Sequence, residues 1–173
     1  EDAQKFQRWL RLRLKKFNLE LSEEKTRLIR FNRYEIRQSK SFDFLGFEYR
    51  CQKHKKQKYP FVATQTSSKK QSESLKTFYQ WIKKNRHMRN GKIFSKLKEK
   101  LRGYFNYYGV VGNSRRLQTY FHHIKRMLFK WLNRRSQRRS CNWKKFRKLL
   151  RIYDIVKPRI RTIESEVVPL VFA

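Results

Sequence analysis

The segment from Ser114 to Trp131 carries cations at most of the positions its apolar residues leave open. Arg115, Arg116, Gln118, Thr119, His122, Lys125, Arg126, Lys130 and Arg134 share one side, and Arg135, Arg138 and Arg139 follow. Leu117, Phe121, Ile124, Leu128 and Trp131 recur at helical spacing on the other. Between Glu73 and Asp154 the only acidic residue is Glu99, so this face cannot be neutralised from within. The chemistry open to it is phosphate neutralisation: each contact releases condensed counterions and adds about 0.7 to 0.9 to the salt slope of binding. A solvated helix face is the competing reading of any charge run. Solvated faces interleave both signs, however, and this one does not, which favours nucleic acid as the counter-charge.

A second cluster, Leu101-Arg102-Gly103-Tyr104-Phe105-Asn106-Tyr107-Tyr108-Gly109, holds more rings than one buried stripe can use. Phe105 and Tyr108 belong to the core by spacing, leaving Tyr104 and Tyr107 to face elsewhere. Beside Arg102 they could stack on unpaired bases at about 1–3 kcal/mol each, and RNA offers more such bases than duplex DNA. Packing of both tyrosines against a neighbouring helix is the other reading, and spacing alone leaves the two open.

Signals for catalysis are missing. His54, His87, His122 and His123 show no ligand spacing with cysteines or carboxylates, which argues against a metal site. Cys51 and Cys141 are the only cysteines and form no C-x-x-C pair, so zinc-ribbon and thioredoxin readings fail and a reducing compartment fits better. The chain has no glycine-rich phosphate loop and no nucleophile motif, so no complete active site is expected in it.

These side chains need a scaffold, and the composition can supply one. The chain has 173 residues, a formal net charge of +33, 38% hydrophobic and 16% aromatic residues. The charge exceeds what solubility needs, and the aromatic content separates it from a disordered basic tail. No apolar run approaches the ~20 residues that span a bilayer, and no signal peptide is visible. The first residue is Glu1 rather than methionine, which is expected of a fragment or a trimmed chain.

Phe6, Trp9, Leu10, Leu14 and Phe17 have a helical period. Thr26–Phe31 reads as a strand. Phe42–Arg50 is strand-like, with an alternation that changes phase at Gly46, which suggests a bulge or a close backbone approach. Lys53–Lys58 reads as a hairpin tip and Tyr59–Thr64 as the return strand. The polar stretch Thr64–Ser74 is the expected linker. Beyond it, helical stripes run over Leu75–Ile82 (stopping near Asn90-Gly91), Phe94–Tyr108 (stopping at Gly109), Leu117–Trp131 (capped by Asn113 or Ser114) and Trp143–Tyr153. The expected class is α+β: a small unit of one helix and antiparallel strands, then an all-α helical bundle.

Two motif groups resemble a known family. Leu19-Glu20-Leu21-Ser22-Glu23-Glu24-Lys25-Thr26 followed by Phe42-Asp43-Phe44-Leu45-Gly46-Phe47 resembles the late palm of group II intron reverse transcriptases. Leu101–Tyr108 with Gly112-Asn113-Ser114 and the basic helix through Trp131 resembles that family's maturase-specific (X), or thumb, domain. Together the matches run from Glu1 to about Arg161. The resemblance implies residues 1–66 as the end of the palm and 67–173 as the maturase-specific domain. It implies Lys25 as a palm lysine near the incoming nucleotide's phosphates, and Phe44, Leu45, Gly46 and Phe47 as a primer grip. The nucleic-acid contacts it implies, together with the charge reading above, are Arg102, Tyr104, Tyr107, Asn113, Ser114, Arg115, Arg116, His122, Lys125, Arg126, Lys130, Arg134 and Arg135.

Partners implied are group II intron RNA and an RNA/DNA template–primer, with RNA splicing and RNA-directed DNA synthesis as the parent's activities. The family's catalytic aspartate pair is expected just before Glu1, with the fingers and first half of the palm. The parent would hold Mg2+ there, while this chain binds no cofactor and is expected to be inactive alone as a nucleotidyltransferase. A bacterial cytoplasmic, nucleic-acid-associated location follows from the same resemblance. Two other classes fit the charge: a basic helical DNA-binding or architectural protein unrelated to polymerases, and a subunit docking on an acidic protein partner.

Overall fold

A computed structural model of the chain describes residues 2–32, 34–37, 40–53, 59–135 and 141–161. Its elements are α1 (Asp2–Lys15), β1 (Phe42–Phe44), β2 (Phe47–Gln52), β3 (Phe61–Thr66), α2 (Ser68–Asn85), α3 (Asn90–Tyr108), α4 (Ser114–Leu132) and α5 (Trp143–Ile152). The strands form one sheet in the order β1-β2-β3. This is the α+β class that the periodicities predict. The chain divides into two compact units, Glu1–Phe42 with Cys51–Phe61, and Asp43–Arg50 with Val62–Ala173. Most residues of the hairpin strands β1 and β2 and of β3 fall in the second unit with the helices.

In the first unit α1 buries none of its residues, and Phe6, Trp9 and Leu12 stay exposed. Arg11 meets Glu23 at 3.2 Å, Arg30 meets Glu35 at 2.6 Å, and Phe31 sets its edge against Phe42. The strand expected over Thr26–Phe31 does not form. Residues 22–26 make a turn in which Thr26 N–H and Oγ1–H both donate to Ser22 O, and residues 27–32 beyond it form no regular element. Alternating side chains favour an extended backbone, but a strand also needs a neighbour in register. The expected tip at Lys53–Lys58 lies mostly outside the described residues.

The phase change at Gly46 is a chain reversal, not a bulge. Leu45 and Gly46 have φ of 50° and 80°, the left-handed pair of a two-residue hairpin turn matched to strand twist. A Cβ on Gly46 would lie 2.8 Å from Tyr108 Oη, so the close approach is by a phenol rather than by backbone. Gly46 O also accepts from Ser67 N at 2.9 Å.

The expected linker over Thr64–Ser74 is another correction. Thr66 ends β3, and Ser67 caps α2 by accepting from Lys70 N through its hydroxyl. The polar composition there serves capping and interhelical bonding, which a search for apolar periodicity reads as a break. Likewise Asn90-Gly91 opens α3 instead of ending α2, which stops at Asn85.

One core holds the helical unit together. Ile82 from α2, Ile93, Phe94, Leu97 and Leu101 from α3, Leu117, Ile124 and Leu128 from α4, and Phe146 from α5 are buried essentially completely. Each such side chain contributes about 1.5–3 kcal/mol relative to exposure. α2 and α4 pack along each other. Phe94 stacks on Tyr153 at 4.3 Å and Phe129 on Trp143 at 4.1 Å, which ties α5 to α3 and α4.

Candidate nucleic-acid interface

α4 turns Leu117, Tyr120, Ile124, Leu128, Trp131 and Leu132 inward. Phe121, read as part of the inner stripe, is half-buried, and Tyr120 takes the deep position. On the outside Ser114, Arg115, His122, Arg126, Lys130 and Arg134 are exposed and Lys125 is half-buried. From α2 onward the ion pair among the described residues is Lys70–Glu73 at 2.9 Å, so carboxylates do not occupy the α4 cations.

Lys125, Lys130 and Arg134 lie over rings. Lys125 Nζ lies 4.9 Å from the Phe121 ring centre and Lys130 Nζ 5.8 Å from that of Tyr79. Trp131 has Arg86 at 5.2 Å and Arg134 at 5.6 Å. Holding the charged heads over ring faces limits their rotamers, which lowers the entropy lost when a phosphate binds. Arg86 is a residue that sequence reasoning missed: only folding brings the end of α2 to Trp131.

Three expected contact residues have other work. Asn113 is 0% exposed. Its Oδ1 accepts from Thr66 N at 2.9 Å, and its Nδ2 donates to Thr66 Oγ1 at 2.7 Å and Tyr108 O at 2.8 Å. Its side chain neither caps α4 nor reaches solvent, so it cannot touch nucleic acid. Arg116 donates to Gln71 Oε1 at 3.3 Å and Ser68 Oγ at 3.1 Å, while Gln71 Nε2 donates to Arg116 O at 3.0 Å. That set is a clamp between α2 and α4. Arg135 donates to Asn90 Oδ1 and Met88 O, bracing the α2–α3 turn, and burial lowers its pKa. Arg138 and Arg139 lie outside the described residues.

For the aromatic cluster the structure selects packing. Tyr104 is half-buried and stacks on Tyr120 with ring centres 3.7 Å apart. Burial raises the pKa of both phenols, that of Tyr120 to about 12, so both stay neutral near pH 7. Tyr107 is 51% exposed, but its ring stacks on Phe47 at 5.7 Å and its hydroxyl donates to Leu45 O at 2.8 Å. Both tyrosines therefore build the scaffold, and Arg102 remains exposed beside them.

The hairpin residues separate in the same way. Phe44 and Leu45 are exposed at 58% and 67%, whereas Phe47 is buried against Tyr107 and Tyr108. Only the first two project from the tip. Lys25 is exposed on the turn over residues 22–26. Among the described residues no three His, Cys, Asp or Glu side chains cluster to hold a metal ion. No described helix is long and apolar enough to cross a membrane.

A strongly basic helical bundle whose α4 carries charge of one sign on its outer face is the class these features define. Residues 72–150 match the family model described as group II intron, maturase-specific domain. The matched stretch runs from the first turns of α2 into α5, and over it the chain is similar to that domain. No curated protein and no solved structure matches the chain.

Proposed function

We propose that this domain binds group II intron RNA through the outer face of α4, with Arg115, His122, Lys125, Arg126, Lys130 and Arg134 neutralising phosphates. One observation carries the reading: a row of exposed or half-buried cations without ion-paired carboxylates among the described residues, three of them over rings, on the helix at the centre of the matched stretch. The preceding segment is the end of a reverse transcriptase palm, and Phe44 and Leu45 at the hairpin tip contact a primer strand, with Gly46 and Phe47 holding the tip in place. The parent is then an RNA-directed DNA polymerase and splicing factor that grips a template–primer. Mg2+ would be held by palm carboxylates other than those of this chain, and Lys25 faces the nucleotide phosphates. The uncovered stripe of Phe6, Trp9 and Leu12 on α1 fits a surface made to pack on such a further piece.

Filter binding of the purified chain over a salt series tests this. Folded intron RNA should bind with a steep log–log salt dependence and outcompete both heparin and duplex DNA. A flat dependence, or equal affinity for heparin, would overturn the reading. Tighter binding to duplex DNA would favour a basic architectural protein instead.

A further inference from the structure

After α5 the chain does not leave the bundle. Ile155 N donates to Leu150 O at 3.2 Å, and Arg161 N donates to Gly109 O at 2.7 Å, so residues 155–161 form a strap returning to the end of α3. Gly109 makes the return feasible, because a Cβ there would collide with Phe105 O and lie 2.7 Å from Arg159 O. Between α3 and the strap lies a cleft of about 930 Å³. Its polar lining is Arg102 and Asn106 from α3, with Asp154, Lys157, Arg159 and Arg161 beyond α5. Four cations thus face one carboxylate, and none of the four is ion-paired among the described residues. Val156 and Ile160 supply half-buried apolar surface beside them.

We propose that this cleft binds a single strand of RNA, separately from the α4 face. No α4 residue lines it. Its volume is that of pockets that enclose small organic ligands, about 300–1,000 Å³. That is room for a few unpaired nucleotides and too little for a duplex. The cations take successive phosphates, the apolar strap residues take a ribose or base face, and the exposed Asn106 amide offers both a donor and an acceptor to a base edge. The domain then holds two nucleic-acid elements at once: a structured one on α4 and an unpaired one under the strap. This rests on the reading of the domain as RNA-binding, but it can fail independently of the α4 assignment.

The test uses the full chain with Arg102→Gln, Lys157→Gln and Arg159→Gln combined, probed with an unstructured oligouridylate and a blunt RNA duplex. The oligouridylate should bind more weakly, with its log–log salt slope flattened by about 2, from three contacts at about 0.7 each. Duplex binding should be unchanged, and lysine at residues 102 and 159 should retain most of the slope. Unchanged oligouridylate binding overturns the proposal. So does an equal loss on both probes, which would mean diffuse charge rather than a site. A thermal melt confirms folding, and Arg102→Gln alone, with an expected slope change of about 0.7, serves if the triple variant does not fold. A parallel variant with Lys125→Gln, Arg126→Gln and Lys130→Gln separates the two readings. If it leaves structured-RNA binding intact while the cleft variant loses the oligouridylate, the α4 assignment fails and the cleft stands; the reverse pattern sinks the cleft alone.

Discussion

Asn113 and Thr66 close a pair of hydrogen bonds across 47 residues of sequence, Thr66 N to Asn113 Oδ1 at 2.9 Å and Asn113 Nδ2 to Thr66 Oγ1 at 2.7 Å. Both residues are 0% exposed. The pair joins the end of β3 to the start of α4, and the third bond, to Tyr108 O, adds the end of α3. Three elements meet at one amide, in a place where no water can substitute.

Replacing that amide should therefore be costly. Asn113→Ala leaves the Thr66 N–H buried without its partner, at about 1–3 kcal/mol, and removes the donations to Thr66 Oγ1 and to Tyr108 O, which keeps Val110 N–H as a donor. The expected loss is about 3 kcal/mol, read as a lower denaturant midpoint at unchanged m-value. Nucleic-acid affinity of the folded fraction should not change, since Asn113 lies beneath the surface. A loss below about 0.5 kcal/mol would contradict the buried geometry.

Gly46 offers a test by double-mutant cycle. Gly46→Ala puts a side chain at φ 80° and 2.8 Å from Tyr108 Oη. It should destabilise by about 1–2 kcal/mol from the left-handed backbone alone, with the clash in addition. Tyr108→Phe removes the hydroxyl and should return the clash component in the double variant, giving a coupling of about 0.5 kcal/mol or more. Additive losses would show that the hairpin turn does not lie against Tyr108.

Arg116 and Arg126 sit on the same helix but should behave oppositely. Arg126 is exposed, and Arg126→Gln should lower the salt slope of RNA binding by about 0.7–0.9 with stability unchanged within about 0.5 kcal/mol. Arg116 is clamped to Gln71 and Ser68, so Arg116→Ala should cost about 1 kcal/mol of stability. A chemical-denaturation curve and a salt titration on each variant distinguish the two roles.

Alkaline pH should weaken the fold through the Tyr104–Tyr120 stack. Burial holds the Tyr120 phenol at about 12 against an ordinary 10.0 and raises Tyr104 as well. Above pH 10 the unfolded chain releases these protons while the folded chain keeps them, so the unfolded state binds fewer protons and stability falls as pH rises. The contribution is fully present below about 10 and is lost by about 12. Unfolding free energies measured across that window should decline, and less steeply in Tyr104→Phe. Tyrosinate absorbance should show two phenols titrating late.

Gly109→Ala should displace the strap. The added methyl meets Phe105 O and Arg159 O, both backbone atoms with little room to yield. Hydrogen exchange at the Arg161 amide, which donates to Gly109 O, should accelerate well before the core amides of α3.

The bundle was legible in sequence because a helix announces itself locally: Ile93, Leu97 and Leu101 recur at a period that only a helix brings to one face. The one-signed charge of α4 was legible for the same reason. The maturase-specific resemblance, carried by the Leu101–Tyr108 and Gly112–Ser114 blocks, agrees with the family match over 72–150. Misreadings arose where local signals have two meanings. Ser67 and Gln71 looked like linker residues and are a cap and an interhelical bond; Gly46 looked like a bulge and is a turn.

The sequence by itself determined where the helical stripes run and that their outward surface is positive. Both the helical period and the scarcity of carboxylates are local properties, readable over a few turns of chain. Tertiary structure alone decided which of the similar-looking polar residues remain free. Arg116, Asn113 and Tyr107 are committed to Gln71, Thr66 and Leu45, partners 45, 47 and 62 positions away, while Arg126 and Lys130 face water. A hydrogen bond needs atoms within about 3 Å, and at such separations in sequence that proximity is a property of the packed core rather than of any local pattern.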